Sequence, residues 1–234
     1  MARPEPDIFT EPDFDPDTLA HLGPLAPMAG TFEGDGADVH PVAEGVGTDA
    51  YIEHYDLQPI DPQTNGPQLF YGLRYHVRIV RPGEIIAFHD QVGYWLWEPA
   101  AQAVTLTLGI PRAQVLLASG PAGSDATEFE LTATAGSEIH GILSTPFLYE
   151  AFRTLSYRIH VTVNDDGTWS YEEEGVLQIP GRDEVFRHID RNTLTRIAPP
   201  ELNPLAEAAR QSGTGADRSG SLGIGSLRTP GRTP

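Results

Sequence analysis

Eight histidines, at 21, 40, 54, 76, 89, 140, 160 and 188, are the side chains of this 234-residue sequence best suited to proton transfer or metal ligation. No two form an H-x-H or H-E-x-x-H pair, so the starting points of cupin-like and zincin-like metal sites are missing. There is also no P-loop, no G-x-S-x-G elbow and no glycine fingerprint between a strand and a helix. The chain has no Cys, which excludes disulfides, a thiolate nucleophile and Cys-ligated zinc or iron–sulfur centres. His89 lies in A-F-H-D-Q-V-G-Y-W-L-W and shares strand parity with Gln91, Gly93, Trp95 and Trp97. Asp90 has the opposite parity, so His89 and Asp90 make a poor general-base dyad. For any single histidine, an exposed or hydrogen-bonded role is the simpler reading.

The elements that must position these groups begin at Gly30–Pro41, G-T-F-E-G-D-G-A-D-V-H-P. Alternation puts Gly30, Phe32, Gly34 and Gly36 on one face and Thr31, Glu33 and Asp35 on the other. A face of glycines with one aromatic is a candidate ligand wall. It is also what a strand needs where glycines relieve the curvature of a closed sheet.

Further β-prone stretches are expected near 49–57, 69–80, 84–97, 102–109, 112–119, 127–135, 138–144, 153–163, 168–179 and 188–197. Arg81-Pro82-Gly83-Glu84 and Asn164-Asp165-Asp166-Gly167 read as hairpin turns. Asp17 is a candidate N-cap for a helical turn over Thr18–Leu22, with Leu19, Leu22 and Leu25 placed to plug one end of a barrel. The segment 144–152 breaks the alternation and reads as a loop with one helical turn. Many short strands without a long helical pattern predict an all-β fold, a barrel or a sandwich, with antiparallel pairing across the 164–167 turn. The barrel domain is expected over 17–198, between an acidic, proline-rich extension at 1–16 and a tail at 199–234. Both ends are expected to be disordered, with a weak helix possible in composition over 201–211.

The net charge is −18, and all fifteen basic residues are Arg. Such a chain is repelled by phosphate backbones and anionic membranes, which disfavours nucleic-acid and membrane binding. The N-terminal stretch lacks the apolar core of a signal peptide, and a cytoplasmic location is the default expectation. No motif for a protein partner is present.

The residues from Gly30 to Pro41 resemble the G-x-W-x-G-x-G-x-G-x-Y-P signature of the nitrobindin family, heme-binding β-barrels likened to fatty-acid-binding proteins and lipocalins. Gly30, Gly34, Gly36 and Pro41 match; Phe32, Asp38 and His40 stand for the Trp, the last Gly and the Tyr. His89-Asp90-Gln91-Val92-Gly93-Tyr94 is similar to the family's His-x-Glu-x-Gly-Tyr strand, with Gln91 for Glu. The turn Leu108-Gly109-Ile110-Pro111 and the lead-in from Asp17 to Gly30 extend the likeness over about 17–197. The resemblance implies a ten-stranded barrel holding a ferric heme b, its iron bound by a histidine near the start of the last strand. It also implies reaction with nitric oxide, or isomerisation of peroxynitrite, which is an enzymatic role only where heme is bound. His188 is the metal ligand this suggests, and Gly30, Phe32, Gly34, Gly36, His40 and His89 are the further cofactor-binding candidates.

The family's last strand ends in a Leu-x-Arg pattern like Leu194-Thr195-Arg196. An ungapped match from there puts Ile189 at the ligand position, so ligation by His188 requires a bulge near Asp190. The ligand decides the affinity. Burying several hundred Å² of porphyrin is worth on the order of 10 kcal/mol at about 25 cal/mol/Å², while immobilisation costs about 4–15 kcal/mol. The iron–imidazole bond must then supply most of the net affinity. The alternative is a divergent barrel that has lost heme and binds another small hydrophobic ligand. A third possibility is an enzyme using His40, His54, His89 and Gln91 for proton transfer.

Overall fold

Alternation of apolar and polar residues governs the architecture, because each strand turns its larger side chains to one face and closes around them. The computed structural model describes residues 7–202, together with 204, 207 and 208. The strands are β1 (Gly30–Pro41), β2 (Val46–Pro59), β3 (Gln63–Asn65), β4 (Gln68–Val80), β5 (His89–Glu98), β6 (Ala103–Ile110) and β7 (Gln114–Pro121). They continue as β8 (Glu128–Thr134), β9 (Ile142–Ser144), β10 (Arg153–Val163), β11 (Trp169–Gln178) and β12 (Phe186–Ala198). All pairings are antiparallel.

The sheet runs β2-β1-β12-β11-β10-β8-β7-β6-β5-β4, and pairing of β2 with β4 joins its two ends. The fold is therefore all-β, a closed antiparallel barrel of ten strands, with β3 and β9 added outside the ring on β4 and β7. Closure leaves the ring without a free edge.

One end is sealed by α1 (Thr18–His21) and a 3-10 turn over Gly23–Met28. The Asp17 side chain accepts from the Ala20 backbone N–H at 3.3 Å, as an N-cap does. Leu22, Leu25 and Met28 are fully buried, and Leu19 packs against the core at its margin. Burying one such side chain is worth about 1.5–3 kcal/mol, so this short lead-in anchors itself by packing rather than by helical propensity. Above the plug, Phe32, Trp97, Leu57, Leu73, Trp169 and Leu194 complete the apolar core.

Both expected turns form. The Glu84 N–H donates to the Arg81 carbonyl at 2.9 Å, and the Gly167 N–H to the Asn164 carbonyl at 3.1 Å, each with its glycine at positive φ. Three expectations need correction. The strand placed at 84–97 begins only at His89, and Ile85 and Ile86 are exposed in the preceding loop. The stretch 138–144 contributes only Ile142–Ser144. The short β3 was not foreseen. The helical turn within 144–152 is α2 (Pro146–Ala151).

Residues 7–16 contain no helix or strand, although the Asp15 N–H is tied to the Tyr71 hydroxyl at 3.2 Å. Of the segment 201–211, residues 204, 207 and 208 are helical, while 201 and 202 are not. The disorder expected for 1–6 and 209–234 lies outside the described residues. Among the described residues, no helix is long and apolar enough to cross a membrane.

Candidate functional site

The barrel end opposite the plug holds a cavity of about 500 Å³, within the usual range for a small-molecule site. Its apolar wall includes Val77, Ile79, Trp95, Leu106, Leu108 and Ile159, with Phe147, Leu148 and Phe152 of the α2 segment at the opening. The polar wall comes from the inward faces of β1, β2, β11 and β12: Asp38 and His40, Tyr51 and Glu53, Tyr171 and Glu173, His188 and Asp190.

The phase of β12 determines what its histidine can reach. Its ladder with β11 runs unbroken from Trp169 opposite Leu194 to Leu177 opposite Phe186. Phe186, His188, Asp190, Asn192 and Leu194 therefore share the inward face, as burial of Phe186, Asn192 and Leu194 confirms. Ile189 has the opposite parity and does not line the cavity. No bulge near Asp190 interrupts the ladder with β11, although the sequence match requires one for ligation by His188. The irregularity in β12 pairing lies instead at the plug end, between Thr31 and Phe32 in the ladder with β1. His188 stands on the cavity wall without it.

Asp38 is the partner of that histidine. Its Oδ1 accepts from His188 Nε2 at 2.6 Å, while its Oδ2 lies 3.1 Å from His40 Nδ1. The second contact is at ion-pair distance but not in hydrogen-bonding orientation, and His40 Nδ1 is buried without a hydrogen bond. Burial alone would lower the His188 pKa, but the bond and charge of Asp38, with Glu173 and Asp190 nearby, raise it. Burial alone would raise Asp38; its bond to His188 and the charges of His188 and His40 bring it below the usual carboxylate range.

Beneath this pair lies a belt of buried acids and phenols. The Tyr51 hydroxyl donates to Asp190 Oδ1 and lies 3.2 Å from the Tyr171 hydroxyl. Tyr171 and Asn192 both donate to Glu53 Oε2, at 2.8 and 2.7 Å, and Tyr157 donates to Glu173 Oε2 at 3.0 Å. Burial, reinforced by the charge of Asp190, pushes Glu53 up to about 8 and Glu173 up to about 7. Burial likewise pushes Asp190 up to about 6, against the lowering effect of its Tyr51 bond. Burial thus favours the protonated forms of all three carboxyls relative to exposed ones.

On β5, His89 Nε2 lies 3.3 Å from Gln91 Oε1, and Gln91 donates to the Tyr75 hydroxyl at 3.0 Å. Burial lowers the His89 pKa, whereas the bond and charge of Asp38 raise that of His188. Asp90 points outward and meets His76 at 3.0 Å, as its parity required.

Of the candidate residues, the cavity brings together His40, His89, His188 and Gln91. His54 is on the outer surface, 3.3 Å from Glu33. Gly30, Phe32, Gly34 and Gly36 do not line the cavity. The glycines make room for neighbouring groups instead. A Cβ on Gly36 would strike the Tyr51 ring, and one on Gly34 would lie 2.6 Å from Asn192 Oδ1. Phe32 packs edge-on to Trp169 in the apolar half. Sequence reasoning passed over Asp38 as a partner and overlooked Glu53, Glu173, Asp190 and their tyrosines. The alternation of Y-I-E-H-Y, Y-E-E and H-I-D-R-N carried that signal.

These residues fit a heme. Among the described residues, no three His, Cys, Asp or Glu side chains are grouped to hold a metal ion by themselves. The fitting mode is a single imidazole from the wall, with the macrocycle held by apolar contact. His188 is such an imidazole on the wall, and Arg81 and Arg112 line the same cavity.

The sequence model of the family described as "THAP4-like, heme-binding beta-barrel domain" matches residues 21–196. The solved structures similar to the chain include the crystal structure of Rv2717c from M. tuberculosis. That chain is 21% identical, with a TM-score of 0.52, over 79% of this chain and 99% of that one. Its likeness establishes the fold. No curated protein matches the chain.

Proposed function

We propose that this chain, which belongs to the nitrobindin family of heme-binding β-barrels, binds heme b through His188. The observation that carries this reading is the inward phase of β12, which sets His188 on the wall of a cavity of about 500 Å³. Trp95, Leu106, Leu108 and Ile159 offer apolar contact to a macrocycle and exclude water from its faces. Arg81 and Arg112 hold its carboxylates. Arg81 already pairs with Asp49 at 3.2 Å, whereas Arg112 has no ion pair among the described residues and is the readier of the two. When bound, the ferric heme supplies an iron site for nitric oxide or peroxynitrite, the reactivity that the family resemblance implies. His89, steadied by Gln91 and with its pKa lowered by burial, presents a polar group for hydrogen bonding within the same cavity.

Titration of hemin into the purified chain is expected to give a defined Soret band that His188→Ala abolishes. An identical spectrum in the variant would remove His188 from the assignment.

A second reading is favoured by one observation: His188 Nε2 is already engaged by Asp38 in a wall rich in buried carboxyls. On that reading the cavity takes another small hydrophobic ligand. Native mass spectrometry of the purified chain separates the two, since a stoichiometric heme excludes the second.

A further inference from the structure

We propose that Asp38 sets the affinity of the cavity for heme by competing with iron for His188 Nε2, so that heme is ligated only in molecules whose carboxylate has let go. The inference rests on the heme reading above.

The two ring nitrogens are not equivalent toward a macrocycle. Nδ1 adjoins the ring carbon that carries Cβ, so a flat macrocycle approaching it meets the residue's own Cβ. Nε2 sits at the far end of the ring, clear of that obstruction, and it is the nitrogen that Asp38 Oδ1 holds at 2.6 Å. A carboxylate only accepts, so Nε2 carries a proton there and has no lone pair to give. The lone pair becomes available once that proton has passed to solvent and the ring keeps its proton on Nδ1.

The block is built into the wall. Asp38 lines the same cavity as His188, and its side chain is only 16% exposed. It stands opposite Asp190 in the β1–β12 ladder, which makes His188 its diagonal neighbour on the inward face. At this position the family signature carries glycine, which offers no acceptor. Displacement leaves the carboxylate a second partner, because Oδ2 already lies 3.1 Å from His40 Nδ1, an atom buried without a hydrogen bond. A ligand that binds one of two states is weakened by the fraction in which that state is present. A hydrogen bond to a charged group shifts an equilibrium on the order of 10- to 100-fold. The His188 side chain is 42% exposed, which places the effect near the lower end, at about 10-fold.

The test titrates hemin into the full chain, Asp38→Ala, Asp38→Asn, His188→Ala and the double variant of Asp38→Ala with His188→Ala. Asp38→Ala is expected to bind hemin about 10-fold more tightly, with the same Soret band. Asp38→Asn should fall between, since its amide oxygen is a neutral and weaker acceptor. Hemin binding that survives without His188 is read from quenching of tryptophan fluorescence, and there the added Asp38→Ala is expected to change nothing. An equal gain with and without His188 would mean that losing a carboxylate merely relieves repulsion of the heme carboxylates, and that result overturns the proposal. Unchanged or weaker hemin binding by Asp38→Ala also overturns it, and Asp38→Asn supplies the same comparison where the alanine variant does not fold. Failure of the underlying reading looks different: neither the unmodified chain nor the Asp38 variants give a Soret band, or His188→Ala retains it.

Discussion

Gly36 of β1 lies directly opposite Tyr51 of β2, and the tyrosine ring occupies the space in which a Cβ on Gly36 would sit. Two pairs along, Gly34 lies opposite Glu53, and the space of its absent Cβ is taken by Asn192, which donates to Glu53. The glycine face of β1 is thus the recess into which the polar belt of the neighbouring strand folds, and it puts the Tyr51 hydroxyl against Asp190.

Gly36→Ala is therefore expected to destabilise the barrel by about 1–3 kcal/mol, the usual cost of forcing atoms into a packed interior. It should also weaken hemin binding by displacing Asp190 and its strand neighbour His188. Urea denaturation with a parallel hemin titration measures both. An unchanged denaturation midpoint would show that Tyr51 has other space to occupy.

Glu53 supplies a pH dependence whose sign follows from burial. With its pKa raised from 4.5 to about 8, the folded protein keeps a proton that the unfolded chain releases above about pH 4.5. Its contribution to stability is therefore fully present at low pH and is lost as pH rises through that window, by up to about 1.4 kcal/mol per pH unit. Glu53→Gln mimics the protonated form and still accepts from Tyr171 and Asn192. The variant should lose less stability than the unmodified chain between pH 5 and about 8 when urea midpoints are compared. Parallel profiles for the two proteins would show that Glu53 does not hold the proton.

The phase of β12 is tested by neighbouring substitutions. Ile189→Ala is expected to leave the hemin Soret band in place, because Ile189 does not line the cavity, whereas His188→Ala removes it. The reverse outcome would mean that β12 pairs one residue out of the register seen here.

The plug carries its own prediction. Leu25 is fully buried against the core, so Leu25→Ala should cost about 2–5 kcal/mol. Thermal unfolding followed by circular dichroism checks this. A loss below 1 kcal/mol would mean that the lead-in segment contributes little to the barrel.

What was legible in the sequence was local. Alternation grouped Phe32 with the glycines of its strand and Trp95 with Trp97 and His89, Gly83 and Gly167 marked turns, and Asp17 marked the start of α1. Ile85 and Ile86 misled because two adjacent apolar residues imitate a strand, and local pattern cannot show that the chain there leaves the sheet. The phase of His188 was in fact readable from Leu194, six residues on and of the same parity. Matching the end of the strand to the family pattern hid it. The Asp38–His188 contact spans 150 residues of chain and depends on how β1 and β12 register against each other. No period within either strand encodes that, and the raised pKa values of Glu53, Glu173 and Asp190 arise only once three strands bring them together.

With its floor stopped by Leu22, Leu25 and Met28, the barrel behaves as a cup. Whatever enters past Phe147 and Phe152 must leave by the same lip. Residence time is then governed by that lip as well as by the strength of the grip inside, and alterations to the α2 segment should change how fast cargo is exchanged more than how firmly it is held.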